Sequence, residues 1–303
     1  MRIVAIINSG AGSFTTFQRS GIVKTISAAF QQVGVDAEVR VTKAKYLTEA
    51  AKEALLSGAD AIIAGGGDGT ISTVASVIVG TDMPLGVLPL GTLNHFAKDL
   101  EIPLDLEEAA RVVAQGKVTA IDVAEVNGRV FVNNSSIGLY PQIVKRREGL
   151  RQRFGRNKWI AMLLAALMIL RRFPLHQVRL SADGETLRRT TPFVFVGNNE
   201  YSIDLFTLGT RATLQDGILC LYIPNCSSRF SMLKLTVQAL SNSLEQATDF
   251  ETKSVQEVWI ETRRKKVRVS LDGEVFRMRP PLHYRILPKA LKVILPHYKS
   301  IGE

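Results

Sequence analysis

Residues 60–75 set an aspartate among glycines at the point where a strand hands over to a helix. Ala61, Ile62, Ile63 and Ala64 form a short apolar run, followed by Gly65, Gly66, Gly67, Asp68, Gly69 and Thr70. Ile71, Val74, Ala75 and Ile78 then recur at helical spacing. Glycines let a backbone bend and approach a ligand closely, and the first N–H groups of a helix have no internal partner, so such a turn binds anions, phosphate above all. A carboxylate in the middle of it repels phosphate unless a cation stands between them. Magnesium carried by a nucleotide resolves that conflict. The plainer alternative is a tight turn in which Asp68 caps the helix and nothing binds.

Two more small-residue loops follow apolar runs of strand length. Asn8, Ser9, Gly10, Ala11, Gly12 and Ser13 come after residues 3–7, and Pro89 to Ala97, containing Gly91, Thr92, Asn94 and His95, come after residues 85–88. Between them lie a helical face of Ile22, Ile26, Ala29, Phe30 and Val33 closed by Gly34, a strand over 37–41, and a helix over 47–56 closed by Gly58. Asp105, Glu107 and Glu108 open a further helix through Val113 that stops at Gly116, with acids at its positive end. The βαβα order predicts a doubly wound parallel sheet. The loops after its first, third and fourth strands should gather at the carboxyl edge, where open α/β sheets bind ligands.

Past residue 120 the pattern changes to hairpins. Residues 120–126 and 129–133 flank Asn127-Gly128, residues 178–190 turn at Asp183-Gly184, and further strands are expected over 193–196, 218–223, 255–262, 267–271, 275–278 and 291–295. Helices over 158–172 and 229–244 interrupt this mostly antiparallel half. The reading is two domains, 1–119 and 120–303, with the return of the last strand to the first domain left open.

The whole chain constrains the partner. A formal charge of +10 over 303 residues favours something anionic: nucleotide, nucleic acid or an acidic membrane surface. The longest apolar run, 159–170, is too short to cross a bilayer, and the N-terminus enters a strand with no signal peptide visible, which reads as cytoplasmic. Cys220 and Cys226 support neither a disulfide framework nor a zinc site. The histidines have no metal spacing.

No GxxxxGK[ST] loop and no protein-kinase signature is present. Phosphates would have to be held by backbone dipoles and a metal, with a separate group to take the acceptor's proton. Gly66-Gly67-Asp68-Gly69-Thr70, then Gly91-Thr92-Leu93-Asn94, then Leu214-Gln215-Asp216-Gly217-Ile218 and finally Asp272-Gly273-Glu274 resemble, in order and spacing, the diacylglycerol kinase catalytic-domain family, which includes bacterial lipid kinases and sphingosine kinases. The resemblance spans nearly the whole chain.

It implies an α/β nucleotide domain followed by an antiparallel β-sandwich, with ATP in the cleft between them. It also implies an ATP site lined by Asn8, Ser9, Gly10, Ala11, Gly12, Thr42, Gly66, Gly67, Gly69, Thr70, Ile71, Ser72, Gly91, Thr92 and Asn94. Asp68 would hold the catalytic Mg2+, and Glu274 would be the general base, with a pKa raised by partial burial. Asp216, with the carbonyls of Thr213 and Ile218, would hold a structural Mg2+. By the same resemblance Asp122 matches an acidic position in relatives and would connect to Asp68; the plainer alternative is that it ends a strand.

Three departures from that pattern or rivals to it stand beside these expectations. Ser9 replaces the usual proline of the first loop, and His95 stands where the family usually has an acid. Asp183-Gly184-Glu185 repeats the late tripeptide in an ordinary hairpin. The acceptor implied is a lipid hydroxyl, with the basic segment from Lys145 to Arg172 resting on an anionic membrane as a peripheral contact. The alternative is an NAD-kinase-like enzyme of a soluble acceptor, with Asn199-Glu200 on the ribose. A basic protein without catalysis is the remaining class, but no nucleic-acid motif is present and none is expected as a partner.

Overall fold

The computed structural model describes residues 1–11, 19–138, 175–201, 211, 213–224, 231 and 250–297. The basic segment 145–172, the helix expected within it, all but Ser231 of the helix expected over 229–244, Gly12 and Cys226 lie outside the described residues.

Four strands, β1 (Arg2–Asn8), β2 (Asp36–Thr42), β3 (Ala61–Gly66) and β4 (Leu85–Pro89), form a parallel sheet in the order β2-β1-β3-β4. Ile3 to Ile7 and the whole of β3 are buried, as strands covered by helices on both faces must be. The chain steps from β1 outward through α1 (Arg19–Gln32), then back across through α2 (Leu47–Leu55) and onward through α3 (Asp68–Ile78). Right-handed crossovers in opposite directions put helices on opposite faces, where α1 packs with α5 (Leu106–Gln115) and α2 with α3. The reversal falls between β1 and β3. The short α4 (His95–Asp99) follows β4. The acids expected to open α5 do so: Asp105 accepts the N–H groups of Glu107 and Glu108 at 3.0 Å each.

The second half supplies β5 (Lys117–Val126), β6 (Arg129–Phe131), β7 (Asn134–Gly138), β8 (His176–Ala182), β9 (Glu185–Thr191), β10 (Phe193–Asn198), β11 (Leu219–Pro224), β12 (Phe250–Val255), β13 (Glu257–Thr262), β14 (Val267–Leu271), β15 (Glu274–Met278) and β16 (Leu282–Leu295). One antiparallel sheet runs β12-β11-β10-β7-β14-β15. The facing layer is the first sheet itself, extended to ten strands by β16, β13, β8 and β9, with β5 paired to β16 and β6 to β5. Phe131, Ile137, Val196, Leu221, Val258, Ile260, Val269 and Tyr284 fill the space between the layers, so this half is a β-sandwich. Burial of each large side chain there contributes about 1.5–3 kcal/mol.

The single strand expected over 255–262 is two strands in different layers. Gln256 and Glu257 are both exposed, which breaks the alternation after Val255 and lets the chain change sheets. β7 was not expected, because Asn134, Ser135 and Ser136 are polar; they are buried, with Ser135 Oγ 2.9 Å from the Tyr284 hydroxyl. The strand expected over 291–295 is the end of a fourteen-residue one. β16 pairs β13 and β5 antiparallel, shifts register between Leu287 and Leu291, and then lies parallel to β4 with Val293 opposite Leu85.

Candidate active site

The carboxyl ends of β1, β2, β3 and β4 meet where the sheet order reverses. Asn8, last in β1, donates from Nδ2 to Thr70 Oγ1 in α3 (2.9 Å) and accepts the Gly10 N–H at Oδ1 (3.0 Å). Ser9 N–H reaches the Thr42 carbonyl at the end of β2 (2.8 Å). The first loop is thereby stitched to both neighbouring strands.

Gly67 is the N-cap of α3, and no side chain caps the helix, so its first N–H groups face outward. The loop after β4 comes down on this turn at van der Waals range. A methyl group built on Gly91 would sit 2.4 Å from the Gly67 Cα, so nothing larger than glycine fits there. Asn94 holds the upper loop in a left-handed conformation (φ 50°). It accepts the Gly91 N–H (2.9 Å) and donates to the carbonyls of Pro89 (3.2 Å) and Gly91 (3.0 Å). Asp68 joins the two loops, its Oδ1 accepting the Phe96 N–H at 2.9 Å. Its Oδ2 has no partner among the described residues. His95, half-buried beside it, has its pKa pushed down by burial, with the Asp68 charge pulling the other way.

From the far end of the sequence the β14–β15 turn reaches the same place. Glu274 Oε1 would lie 3.3 Å from a methyl on Gly69, one residue after Asp68. Glu274 is exposed, so the partial burial expected of a general base is not what the structure has. What fixes the turn is Asp272, a residue given no role by sequence reasoning. Its Oδ2 accepts the Ser72 hydroxyl of α3 (2.6 Å) and the Val132 N–H (2.9 Å). Its Oδ1 accepts the N–H groups of Asn133 (2.8 Å) and Asn134 (3.1 Å). Burial raises its pKa above the ordinary carboxylate range, and these donors oppose the rise. Ser72, expected at the nucleotide, thus spends its hydroxyl on a tie between the two halves.

Other expected residues fall as follows. Thr70 is buried, and Ile71 is wholly in the core, leaving only its backbone to face a ligand; Thr92 is exposed at the loop tip. Asp216 is exposed in the 213–218 loop. The carboxylate that organises this loop is Asp122, which accepts the Gly217 N–H (2.7 Å), Asn199 Nδ2 (3.2 Å) and, at the β16 irregularity, the Lys289 N–H (2.8 Å). Its bonds therefore run to that loop and not to Asp68. Asn199 is fully buried, and its side-chain oxygen accepts the Ile218 N–H (3.3 Å) while its main-chain N–H takes the Ile218 carbonyl (3.0 Å). The amide proposed for a ribose is consumed inside the protein.

A second tie was also invisible in the sequence. Arg211, buried, pairs with Asp99 of α4 (Nη2 to Oδ2, 2.8 Å) and donates to the carbonyls of Val132 (2.8 Å) and Asn198 (3.1 Å) and to Asn133 Oδ1 (3.0 Å). A guanidinium with every nitrogen so engaged is a fully paired buried charge. No sequence pattern links Asp99 to Arg211, because their contact is purely tertiary.

Comparison with known proteins decides the family. The diacylglycerol kinase catalytic domain matches residues 2–126, and the YegS C-terminal NAD kinase beta sandwich-like domain matches residues 136–295. The chain belongs to the diacylglycerol kinase catalytic-domain family. A Klebsiella pneumoniae protein named "Probable lipid kinase YegS-like" is 31% identical over 274 residues, 87% of each chain. An uncharacterized Synechocystis protein is 26% identical over 86% of this chain, which spans 61% of that longer protein. The crystal structure of a diacylglycerol kinase from Bacillus anthracis superposes with a TM-score of 0.67 at 21% identity, over 99% of this chain and 98% of that one. Yeast NADH kinase complexed with NADH shares the fold at a TM-score of 0.58 and 15% identity, over 97% of this chain and 83% of that one.

A magnesium-nucleotide is what the resemblance read from the sequence implies, and the donor set here is compatible with one. Among the described residues no three His, Cys, Asp or Glu side chains cluster as metal ligands. A half-engaged carboxylate beside an uncapped helix start suits an ion that keeps its waters and takes most other ligands from phosphate. The α3 N–H groups beside it, with no side-chain cap, are the donors that would face the phosphates.

Proposed function

We propose that this protein is an ATP- and Mg2+-dependent lipid kinase that moves the γ-phosphoryl group onto a lipid hydroxyl, diacylglycerol-like or sphingoid. One observation carries the reading: Glu274, more than two hundred residues further along the chain, brings Oε1 within 3.3 Å of where a methyl on Gly69 would sit, at the residue that follows Asp68 in the first turn of α3. A metal-binding carboxylate and a proton-accepting one on either side of a phosphate cradle are what in-line phosphoryl transfer requires.

In this reading Asp68 would hold the metal with the oxygen left free, while the Phe96 N–H keeps Oδ1 in place. Magnesium, when bound, neutralises the charge of the phosphates. The N–H groups opening α3 and the loops at Asn8–Ala11 and Gly91–Asn94 orient the triphosphate. Glu274 takes the proton from the acceptor hydroxyl at a carboxylate oxygen, and the donor and lipid cover that exposed side chain. The nucleotide half is 1–119, and the acceptor half is 120–303 with the last residues of β16 returned to the first. Asp216, Thr213 and Ile218 remain the proposed structural Mg2+ site, and the protein works as a peripheral cytoplasmic enzyme. Among the described residues no helix is long and apolar enough to cross a membrane.

The soluble-acceptor alternative loses its main support because Asn199 is fully engaged with Asp122 and Ile218. The test is incubation with labelled ATP and either a total lipid extract or NAD. Label in an organic-soluble product, abolished in Asp68→Asn, is expected. Label in NAD phosphate, or in neither fraction, would overturn the proposal.

A further inference from the structure

The hairpin that carries Glu274 has a second end. Opposite the Asp272–Glu274 turn, the β13–β14 connection is Arg263-Arg264-Lys265-Lys266, four consecutive exposed cations. The strands leaving it add Arg268 and, on the other side, Arg277 and Arg279, all exposed. From residue 263 to 279 the only acids are Asp272 and Glu274, both at the far end of β14. None of the seven basic side chains forms an ion pair or hydrogen bond with a described residue, whereas Arg40, Arg179, Arg189, Lys253 and Arg285 elsewhere on the surface each face a glutamate.

Arg268 and Arg277 make the cluster costly. They are directly paired across the antiparallel β14–β15 ladder, on its solvent face. Like charges in that relation destabilise a sheet. Among the described residues β15 is an edge strand, and a single arginine on it would already deter pairing with another chain. A second one opposite adds repulsion without adding protection. An anionic partner that lies over both removes the repulsion.

We infer that this end of the β14–β15 hairpin is the surface by which the protein docks on an anionic phospholipid bilayer. A discrete anion would need converging donors, and these cations are instead spread along a turn and two strands, which suits an extended negative plane. A single-stranded nucleic acid would need exposed rings for stacking. Phe276, the one aromatic side chain in 263–279, is half-buried with the Arg129 guanidinium over its face at 4.7 Å. The inference rests on the lipid-kinase reading for its choice of partner. Along β14 the turn at residues 263–266 stands about 16 Å from Glu274 and the Arg268–Arg277 pair about 10 Å from it, so the turn can be altered without touching the site.

The test is flotation of the full chain with vesicles of phosphatidylcholine alone or with about 30 mol% phosphatidylglycerol, at low salt and at about 0.5 M NaCl. Wild type is expected to bind only the anionic vesicles and to release them in high salt. Serine at Arg263, Arg264, Lys265 and Lys266 should weaken binding at least about tenfold. Serine at Lys24, Lys52, Arg111 and Lys117, four exposed cations of the other half, should change it less than about twofold. The double variant R268S/R277S should also bind more weakly while unfolding at the same or a higher temperature.

Equal losses in the two fourfold variants, undiminished binding in the patch variants, salt-insensitive binding by wild type, or tighter binding to a polyuridine oligonucleotide than to vesicles would each overturn the inference. Phosphorylation of a short-chain acceptor in neutral detergent micelles separates the two readings. If patch variants keep that activity but bind vesicles like wild type, only the docking surface fails. If patch-dependent vesicle binding is intact and no lipid is phosphorylated, only the kinase reading fails.

Discussion

The tripeptide Asp-Gly-Glu occurs twice, at 183–185 and 272–274, and each copy turns a hairpin with the same backbone. The aspartates have φ of 51° and 46° and the glycines 77° and 87°, the left-handed pairs that a two-residue turn demands. There the likeness ends. At the first turn Asp183 is exposed and Glu185 makes a solvent-facing pair with Lys253 (2.7 Å). At the second, Asp272 is tied to Ser72 of α3 and to three successive main-chain N–H groups, which brings Glu274 against Gly69. Three residues specify a bend; what the bend does depends on which elements the rest of the fold packs around its first carboxylate.

The contrast is broken most directly at the glutamates. Glu274→Gln should lower kcat for lipid phosphorylation roughly 10²–10⁴-fold and leave the affinity for Mg·ATP within about twofold, measured by calorimetry. Glu185→Gln should alter neither quantity. Comparable losses in both variants would mean that the tertiary placement of Glu274 counts for nothing.

The aspartates come next. Asp272→Asn puts an amide N–H₂ where two donors already point, and should cost about 1–3 kcal/mol in urea unfolding together with a drop in kcat larger than any change in KM for ATP. Asp183→Asn should stay within about 0.5 kcal/mol of wild type. Loosening the same tie from the helix side, Ser72→Ala should cost about 0.5–1.5 kcal/mol and a smaller part of kcat.

A pH series sharpens the difference further. The folded-state pKa of Asp272 lies above its unfolded value because of burial, so as pH rises from about 4 the unfolded chain gives up this proton before the folded one does. Wild-type stability relative to Asp272→Asn should therefore be greatest below the unfolded pKa and decline as pH rises through the folded one. A relative stability that climbs with pH in urea titrations would reverse the assigned direction.

Much of the nucleotide half was legible in the sequence because its signals are local. Helical spacing from Ile71 to Ile78, the glycines before Asp68, and Asp105 ahead of α5 each act within a turn or two of the chain, and each fell where expected. The sandwich was half legible. Its hairpins announce themselves by Asn-Gly and Asp-Gly, but β7 hides behind serines whose partners lie over a hundred residues away, and β12 was fused with β13. In the site, motif spacing picked out Asp68, Asn94 and Glu274. The groups that tie together the surrounding elements, Asp272 at the β14–β15 turn, Asp122 at the 213–218 loop, and Asp99 with Arg211 at α4, gain their meaning from contacts no local pattern encodes.

β16 gives the molecule a mechanical character of its own. A single backbone serves as an inner member of the sandwich layer and then as a neighbour of β4, so the halves share a spar instead of a flexible linker. Swinging them apart as rigid bodies would bend that spar at its one irregularity, the stretch Leu287–Leu291, where Asp122 already grips the Lys289 amide. Any hinge between the halves would therefore have to form at that stretch and break the Asp122–Lys289 bond.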